Sequence, residues 1–278
     1  MKTKHGTNAG KRAVKDEQEL KQQREITESL KYASYIQQAL FPTSSEINRY
    51  LPDHFLYFQP CNVVSGDFYF ISGHNEITCL AVGDCTGHGV PGAFMSIMGI
   101  TFLNSIISHY HPLRASLVLN QMREHVMKAL SQTGTQYEQK DGIDMAFCLI
   151  NHEKNSMEFS GAFNPIYRIR NKIMQEFQGD KMPVGIGSEQ EKSFTNNLVD
   201  LEEGDMIYLF SDGFVDQFGG KEEKKFKYRP FRDLLISISD LSVSEQKNQL
   251  HLIFDSWKGN LKQLDDVLVF GFRYHVKC

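Results

Sequence analysis

Residues 82–93, which run Val-Gly-Asp-Cys-Thr-Gly-His-Gly-Val-Pro-Gly-Ala, constrain the fold more than any other stretch of the chain. The apolar run 77–82 predicts a buried strand that delivers Asp84 to a tight turn, because glycines adopt backbone angles that other residues resist. The apolar stretch 94–110 then predicts a helix. A carboxylate at a strand end before a glycine loop is a usual ligand for a hard metal ion. Glycine turns also follow strands for steric reasons alone, so this stretch leaves both interpretations open.

Further acids stand at strand ends elsewhere in the chain. Asp67 begins the preceding strand, Asp212 follows an apolar run far downstream, and the pair Asp265 and Asp266 stands at the head of the last strand. Acidic residues normally avoid strands and lie on solvated surfaces. The repeated pattern therefore predicts that these acids converge on one site, where a divalent cation would relieve their mutual repulsion.

Net charge and cysteine usage bear on the class of protein. The net charge of −4, from 30 basic and 34 acidic residues, gives no argument for nucleic-acid binding. Among the five cysteines, Cys79 and Cys148 lie in apolar strand patterns and are interpreted as core residues, which suits a reducing cytoplasm. Cys85, beside His88, is interpreted as filling a turn rather than as a nucleophile.

Nothing in the sequence predicts a membrane segment. No apolar stretch reaches the roughly 20 residues that cross a bilayer, and residues 1–15 lack the apolar centre of a secretory signal. We expect a cytoplasmic protein, either by itself or as the cytoplasmic part of a membrane-associated sensor.

The chain divides into three predicted segments. Residues 1–18 are polar and expected to be flexible, 19–41 form an amphipathic helix that ends before Pro42, and 42–278 form the main domain. Apolar residues follow helical spacing in the second segment, at Ile26, Leu30, Ala33, Ile36 and Leu40. The helix either lies on its own domain or is a signalling helix that pairs with a second copy or an upstream sensor. The seven-residue spacing of Ile26, Ala33 and Leu40 matches a coiled-coil seam, which Gln23 and Gln37 interrupt.

The main domain alternates hairpins with pairs of helices. Such an order predicts helices that cover antiparallel sheets, an α+β arrangement. The charged segment 221–229, with five basic residues against two acids, is expected to be a loop.

These motifs together resemble the metal-dependent serine/threonine protein phosphatases of the 2C class, in the bacterial branch typified by the stage II sporulation protein E phosphatase domain. The segments that carry the resemblance are 65–69, 83–89, 211–213 and 265–266, with support from 41–42, 161–165 and 181–185. They occur in the family's order across about residues 40–275. The resemblance therefore covers most of the chain.

The resemblance implies a four-layer α-β-β-α sandwich of two antiparallel sheets, preceded by an N-terminal signalling helix. It also implies two Mn²⁺ or Mg²⁺ ions, bound by Asp67, Asp84, the carbonyl of Cys85, Asp212 and one acid of the last pair. Asp265 matches the family's ligand, and Asp266 is the alternative.

The implied activity is hydrolysis of phosphoserine or phosphothreonine in a protein, by a water that bridges the two ions. The implied substrate is a phosphoprotein such as an anti-sigma-factor antagonist. The N-terminal helix would gate the site together with an upstream sensor or a homodimer partner.

Several residues depart from the family's pattern. Leu268 replaces a threonine near the site, and His88 lies four residues after Asp84 where the wider class has its histidine two residues on. His88 is a candidate catalytic residue together with Asp67 and Asp84, although ordering the glycine turn is the role that we favour for it. The departures leave open a catalytically weak or inactive phosphatase-fold sensor or binding module.

Two groups of residues keep weaker alternatives. Asp141 and Asp144 precede a strand and are candidates for a third, looser metal site, although roles in a turn and a strand start are favoured. Neither Arg123 nor Arg168 is identified as a phosphate-binding arginine. A phosphoester outside a protein is a further option for the substrate, since a metal site is indifferent to what carries the phosphate.

Overall fold

The computed structural model describes residues 6–74, 76–109, 114–133, 140–187 and 192–276, with side chains from residue 15 onward. Residues 1–5 of the segment expected to be flexible lie outside this part. The helices are α1 (Gly6–Gln38), α2 (Ser44–Tyr50), α3 (Val90–His109), α4 (Ala115–Ala129), α5 (Gly213–Asp216), α6 (Tyr228–Ile238) and α7 (Val243–Lys258). The strands are β1 (His54–Gln59), β2 (Phe68–His74), β3 (Ile77–Cys85), β4 (Gly142–Asn151), β5 (Ser156–Ala162), β6 (Ile166–Arg170), β7 (Ile173–Phe177), β8 (Val184–Gly185), β9 (Asn197–Asp200), β10 (Met206–Phe210), β11 (Phe218–Gly219), β12 (Lys224–Lys225) and β13 (Val267–Arg273).

Two antiparallel sheets form the centre of the domain. The first has the order β2-β3-β4-β5-β9, with β8 also paired to β4, and the second has the order β1-β13-β10-β6-β7. Helices α3 and α4 pack on the first sheet, and α6 and α7 pack on the second. The predicted α+β class and the four-layer sandwich are confirmed.

Strand β13 shows how alternation builds the layers. Successive side chains of a strand point to opposite faces of the sheet. Accordingly, Leu268 and Phe270 join the core between the two sheets, while Val267 and Val269 join the core beneath α6 and α7. All four side chains are fully buried. Leu268 is therefore a core residue.

Helix α1 begins at Gly6, well before the predicted start at residue 19. The segment expected to be flexible is therefore helical from Gly6 onward. Its lysine, glutamate, glutamine and alanine residues are good helix formers, which explains the early start. Of the side chains described in α1, only Ser34 and Gln37 are buried, whereas Leu20, Ile26 and Ile36 are about half exposed. The division into three segments stays a prediction.

Helix α3 qualifies the expectation about membranes. Among the described residues, it is the one helix long and apolar enough to cross a bilayer by length and composition. Its residues Ile100, Leu103 and Ile106 are buried in the core that the first sheet forms. The core of a soluble domain produces the same apolar composition, so this helix is weak evidence for a span.

The segment 221–229 is more ordered than expected. Residues of β12 pair with β11 in a short hairpin, and α6 begins at Tyr228. Phe226 is buried and lies edge-on to Phe214 and Trp257, with ring centroids 5.1 and 5.3 Å apart. This aromatic contact orders a segment that the sequence marked only by its charge.

Candidate active site

An acidic cleft of about 180 Å³ opens where both sheets end. Asp84 is the penultimate residue of β3, and Asp144 lies directly opposite it on β4. Asp212 follows β10, and Asp265 precedes β13. These four aspartates line the cleft together with Cys85, Thr86, Gly87 and His88. The wall formed by these residues contains no lysine or arginine to balance the carboxylates.

Asp67 lies behind this wall, with only 1% of its surface exposed. The Ser211 hydroxyl donates a hydrogen bond to its carboxylate at 2.5 Å. The same hydroxyl accepts the backbone N–H of Leu268 at 3.0 Å. Ser211 therefore connects Asp67 to the strand ends that carry Asp212 and Asp265.

The two acids that precede β13 have different surroundings. Asp266 is 2% exposed, and its two carboxylate oxygens accept the backbone N–H groups of Cys61 and Gly66, each at 2.7 Å. Asp265 lines the cleft, and one of its oxygens accepts the backbone N–H of Asp266 at 2.9 Å. Asp265 thus faces the cleft, whereas Asp266 holds the loop that leads to Asp67.

The glycine loop lies against two other glycines. A Cβ atom on Gly92 would lie 2.3 Å from the Gly87 carbonyl oxygen, and one on Gly66 would lie 2.7 Å from it. Gly87 itself has φ of +84°, a conformation that favours glycine. The loop therefore adopts its position only because these residues lack side chains.

Hydrogen bonds of Thr86 and His88 also hold the glycine loop in place. The hydroxyl of Thr86 accepts the backbone N–H of Gly142 at 3.0 Å, and the Thr86 N–H donates to the Gly142 carbonyl, also at 3.0 Å. His88 Nδ1 lies 3.1 Å from Asn62 Nδ2 in a hydrogen bond. His88 is thus on the cleft wall and joins the loop to Asn62, while Thr86 joins it to the start of β4.

Burial and mutual repulsion change the acidity of the cluster. Burial, together with the neighbouring carboxylates of Asp212 and Asp265, raises the pKa of Asp84 well above its usual range. Burial and then the Asp84 carboxylate do the same to the pKa of Asp67. Burial and Asp212 raise the pKa of Asp144 to about 7. Without a cation, these acids cannot all be charged at neutral pH at low cost.

Cys85 has the surroundings of a structural cysteine. Its side chain is 4% exposed, and burial together with the Asp84 and Asp67 carboxylates raises the pKa of its thiol well above the usual value. A thiol must ionise to act as a nucleophile. Cys85 therefore lines the cleft without a reactive sulfur.

The donor set fits hard divalent cations. Its groups are carboxylate oxygens in a partly buried cleft whose lining contains no lysine or arginine. No three His, Cys, Asp or Glu side chains of the described residues are arranged to hold an ion by themselves. Magnesium sites commonly use one or two carboxylates and complete the coordination shell with water. The residues present thus suit ions that keep several waters.

Helix α1 reaches the same region through Gln37, which is 3% exposed. Its Nε2 donates to the Ser65 carbonyl at 2.6 Å and lies 2.8 Å from the Ser96 hydroxyl, and its Oε1 accepts the Ser65 N–H at 3.0 Å. Ser65 is two residues from Asp67. The end of α1 is therefore joined to the segment that carries a candidate metal ligand.

Sequence reasoning gave three of these residues too little weight. The motif at 211–213 gives Ser211 no role by itself, and the apolar spacing of the helix marks Gln37 only as an interruption. Sequence reasoning also gave Asp144 a secondary place, yet this residue lines the cleft. The available signal for Gln37 was a polar residue inside an apolar stripe, which requires a polar partner if it is buried. Asp141 does not line the cleft; its carbonyl accepts the Gln132 side chain at 2.7 Å.

The two arginines considered for phosphate binding lie elsewhere. Arg123 donates to the Lys192 carbonyl at 2.8 Å and lies over the Phe194 ring. Arg168 contacts Asp200 at 3.1 Å. Neither is among the residues that line the cleft.

Sequence comparison gives one family. The family profile described as Stage II sporulation protein E (SpoIIE) matches residues 75–275. The phosphoserine phosphatase RsbU of Bacillus subtilis (strain 168) is 26% identical over 239 residues, which cover 84% of this chain and 66% of RsbU. The chain thus spans slightly less than two thirds of that relative.

Solved structures show the same fold. The SiaA-PP2C domain of Pseudomonas aeruginosa superposes with a TM-score of 0.82 at 28% identity, covering 91% of this chain and 98% of that domain. The PP2C phosphatase domain of SpoIIE from Bacillus subtilis, solved with a fragment of its regulatory domain, gives 0.64 at 18% identity, with 80% and 63% covered. RsbX, solved in complex with magnesium, gives 0.55 at 15% identity, with 80% and 94% covered.

Proposed function

Because the chain belongs to the stage II sporulation protein E family of PP2C-type serine/threonine phosphatases, we propose that it hydrolyses phosphoserine or phosphothreonine in a protein with the help of two Mn²⁺ or Mg²⁺ ions. One observation carries the proposal. Carboxylates from separate parts of the chain, those of Asp84, Asp144, Asp212 and Asp265, line one cleft whose walls contain no lysine or arginine.

The proposed ligands are Asp67, Asp84, Asp212 and Asp265, with the carbonyl of Cys85. Bound divalent ions would lower the pKa of a water and neutralise phosphoryl oxygens during in-line displacement. The protein would hold the carboxylates in position through hydrogen bonds. Ser211 orients Asp67 through its 2.5 Å hydrogen bond, and the backbone of Asp212 hydrogen-bonds to the Asp84 carboxylate.

His88 is proposed to order the glycine turn through Asn62, to which it is hydrogen-bonded. Asp266 is proposed to hold the loop before Asp67 and not to bind metal, since backbone amides already occupy both of its oxygens. Asp144, opposite Asp84, is the better placed of the two candidates for a third ion.

The test compares the wild type with Asp84→Asn and with Asp240→Asn, an exposed aspartate on the α6–α7 turn that pairs with Lys172. Hydrolysis of p-nitrophenyl phosphate and of a phosphoserine peptide is measured with added Mn²⁺, and Mn²⁺ binding is measured by calorimetry. We expect Asp84→Asn to lose about 100-fold in rate and to bind Mn²⁺ more weakly, at the upper end of the losses seen when residues of a metal site are replaced, while Asp240→Asn matches the wild type. Equal rates in all three proteins would refute the proposal. A wild type that binds the phosphopeptide without turnover would instead support the sensor or binding module.

We also propose that α1 gates the site. Gln37 joins this helix to Ser65 and Ser96, so a displacement of α1 would move the segment that carries Asp67. The exposed apolar residues Leu20, Ile26 and Ile36 suit an upstream sensor domain or a second copy of the chain. Removal of residues 1–40 should change both the Mn²⁺-dependent rate and the oligomeric state, measured by light scattering. If neither changes, the gating proposal fails.

The substrate is proposed to be a phosphoprotein of a bacterial signalling pathway, of the anti-sigma-factor-antagonist type, and the compartment to be the cytoplasm. The buried thiols of Cys79 and Cys148 suit a reducing compartment. Incubation with phosphorylated candidates, followed by phosphate release, tests the substrate class. Selective release from one candidate supports it, and equal rates for all candidates contradict it.

A further inference from the structure

The segment between Asp212 and α6 is packed against the domain beside the cleft, and we call it the platform. Phe226 anchors it by packing against Phe214 and Trp257. Trp257 Nε1 also donates to the Gln217 carbonyl at 3.0 Å, and the Lys227 N–H donates to the Val215 carbonyl at 2.7 Å. Side chains on this segment are therefore presented from a fixed backbone.

Three exposed cations lie at the end of this platform and on the first turn of α6, and we call Lys225, Lys227 and Arg229 the basic strip. Lys225 Nζ lies 2.6 Å from the Asp216 carboxylate, and the Asp216 N–H donates to the Asp212 carbonyl at 2.9 Å. The strip therefore begins one helical turn from a residue that lines the cleft. Lys227 and Arg229 form no ion pair with any residue that the structure describes.

The backbone of Lys227 is unusual for its residue type. Its φ is +74°, in a region that residues with a side chain seldom adopt. Burial of Phe226 on one side and the start of α6 on the other hold this conformation. A strained lysine on a fixed backbone is costly to keep, which favours a functional role for its side chain.

Tyr228 lies between Lys227 and Arg229 and is 41% exposed. Burial of its ring and the nearby carboxylate of Asp212 raise the pKa of its hydroxyl to about 12. The ring therefore lies within electrostatic reach of the cleft. It provides an apolar surface and a neutral hydrogen-bond donor between two cations.

We propose that the basic strip and Tyr228 bind an acidic segment that flanks the phosphorylated residue of the protein substrate. The inference rests on the proposed function and deepens it. The cleft repels anions until cations bind there, whereas the strip attracts them whether or not metal is present. An acidic flank would thus dock on the strip and orient the phosphorylated side chain toward the cleft.

The test uses phosphoserine peptides that differ only in three flanking residues, which are acidic, neutral or basic. The variant Lys227→Gln/Arg229→Gln is compared with Lys154→Gln/Lys247→Gln, which removes the same charge far from the cleft. Lys154 lies in the turn at the opposite end of β4 from Asp144, and Lys247 lies on α7. Rates are measured with Mn²⁺ at about 50 and about 300 mM salt, between which exposed charge pairs become screened.

We expect the wild type to favour the acidic over the neutral peptide by about three- to tenfold in kcat/KM at low salt, mainly through KM. The preference should shrink at high salt and disappear in Lys227→Gln/Arg229→Gln but not in the control. A wild type without the preference, or a strip variant that keeps it, overturns the inference. If the wild type hydrolyses neither a peptide nor p-nitrophenyl phosphate, the proposed function fails. Anisotropy with the labelled acidic peptide then decides the inference: tighter binding by the wild type than by the strip variant supports it, and equal binding overturns it.

Discussion

Gln37 holds both backbone polar groups of Ser65, accepting its N–H at 3.0 Å and donating to its carbonyl at 2.6 Å. The amide side chain thus pairs with the peptide backbone as a neighbouring strand would. Because all of these groups are buried, none can exchange its partner for water without a cost. The contact fixes the position of the chain immediately before Asp67.

Gln37→Ala should weaken both the fold and the metal site. It leaves the buried backbone N–H of Ser65 without its partner, while the Ser65 carbonyl keeps the hydrogen bond from the Ser96 hydroxyl at 3.2 Å. Loss of a partner by a buried N–H costs about 1–3 kcal/mol. We expect the Mn²⁺ concentration for half-maximal hydrolysis of p-nitrophenyl phosphate to rise, together with a lower urea midpoint. Gln38→Ala is the control, since the Gln38 side chain donates to the Ser34 hydroxyl of the same helix at 3.1 Å and is exposed. An unchanged Mn²⁺ requirement in Gln37→Ala would contradict the coupling of α1 to the site.

Substituting the two acids before β13 should have opposite effects. Asp266→Asn replaces an oxygen that accepts a backbone N–H with a donor, so we expect a loss of stability of about 1–3 kcal/mol. Asp265→Asn should keep or raise the stability of the metal-free protein, because burial and the neighbouring Asp266 raise the pKa of Asp265, but should weaken Mn²⁺ binding. Urea denaturation and calorimetry measure the two quantities. Strong Mn²⁺ binding by Asp265→Asn would reassign the ligand.

Leu268→Thr, which restores the residue usual in the family, should not raise activity. Leu268 is fully buried in the core between the sheets, and the Ser211 hydroxyl already serves Asp67. Burying a second hydroxyl there should cost about 1–3 kcal/mol. The rate and the melting temperature are measured side by side. A gain in Mn²⁺ affinity would show that the departure does weaken the site.

The metal-free protein should lose stability as the pH rises. The pKa of Asp144 is about 7 in the folded protein against its ordinary value of 3.8. Between these values the folded state binds more protons than the unfolded chain, so the free energy of unfolding falls as the pH rises toward 7. Asp212, with a pKa raised by burial to about 6, acts in the same direction.

Asp144→Asn should remove part of this pH dependence. With EDTA present, we expect it to melt at a higher temperature than the wild type at pH 8, and the difference to be smaller at pH 5, where less of the proton-linked stability has been lost. Melting curves at both values, with Asp240→Asn as the exposed control, measure the difference. A wild type whose stability rises between pH 5 and pH 8 in EDTA would disprove the assignment.

Much of the architecture followed from local pattern. Apolar runs bounded by glycines predicted the strands, and the position of Asp84 at the end of one was visible without coordinates, because β3 is apolar up to Val82. The convergence of distant acids was inferred from their repeated position at strand ends and not from the pairing of strands. The register that sets Asp84 opposite Asp144 depends on long-range pairing between β3 and β4, which composition and periodicity cannot specify.

Other features depended on contacts that no single segment contains. The different roles of Asp265 and Asp266 follow from the amides of Cys61 and Gly66, some 200 residues away. Order in 221–229 follows from the packing of Phe226 against Trp257. Helix α1 extends to Gly6, where low apolar content hid a run of good helix formers.

The close approach of Gly66 and Gly92 to the Gly87 carbonyl leaves no side chain between these three backbone segments. Backbone rests directly on backbone there, so no rotamer change can absorb a displacement. We therefore expect the start of β2, the turn after β3 and the first turn of α3 to move together. A displacement of a helix at this corner would then also displace the carboxylates that these segments carry.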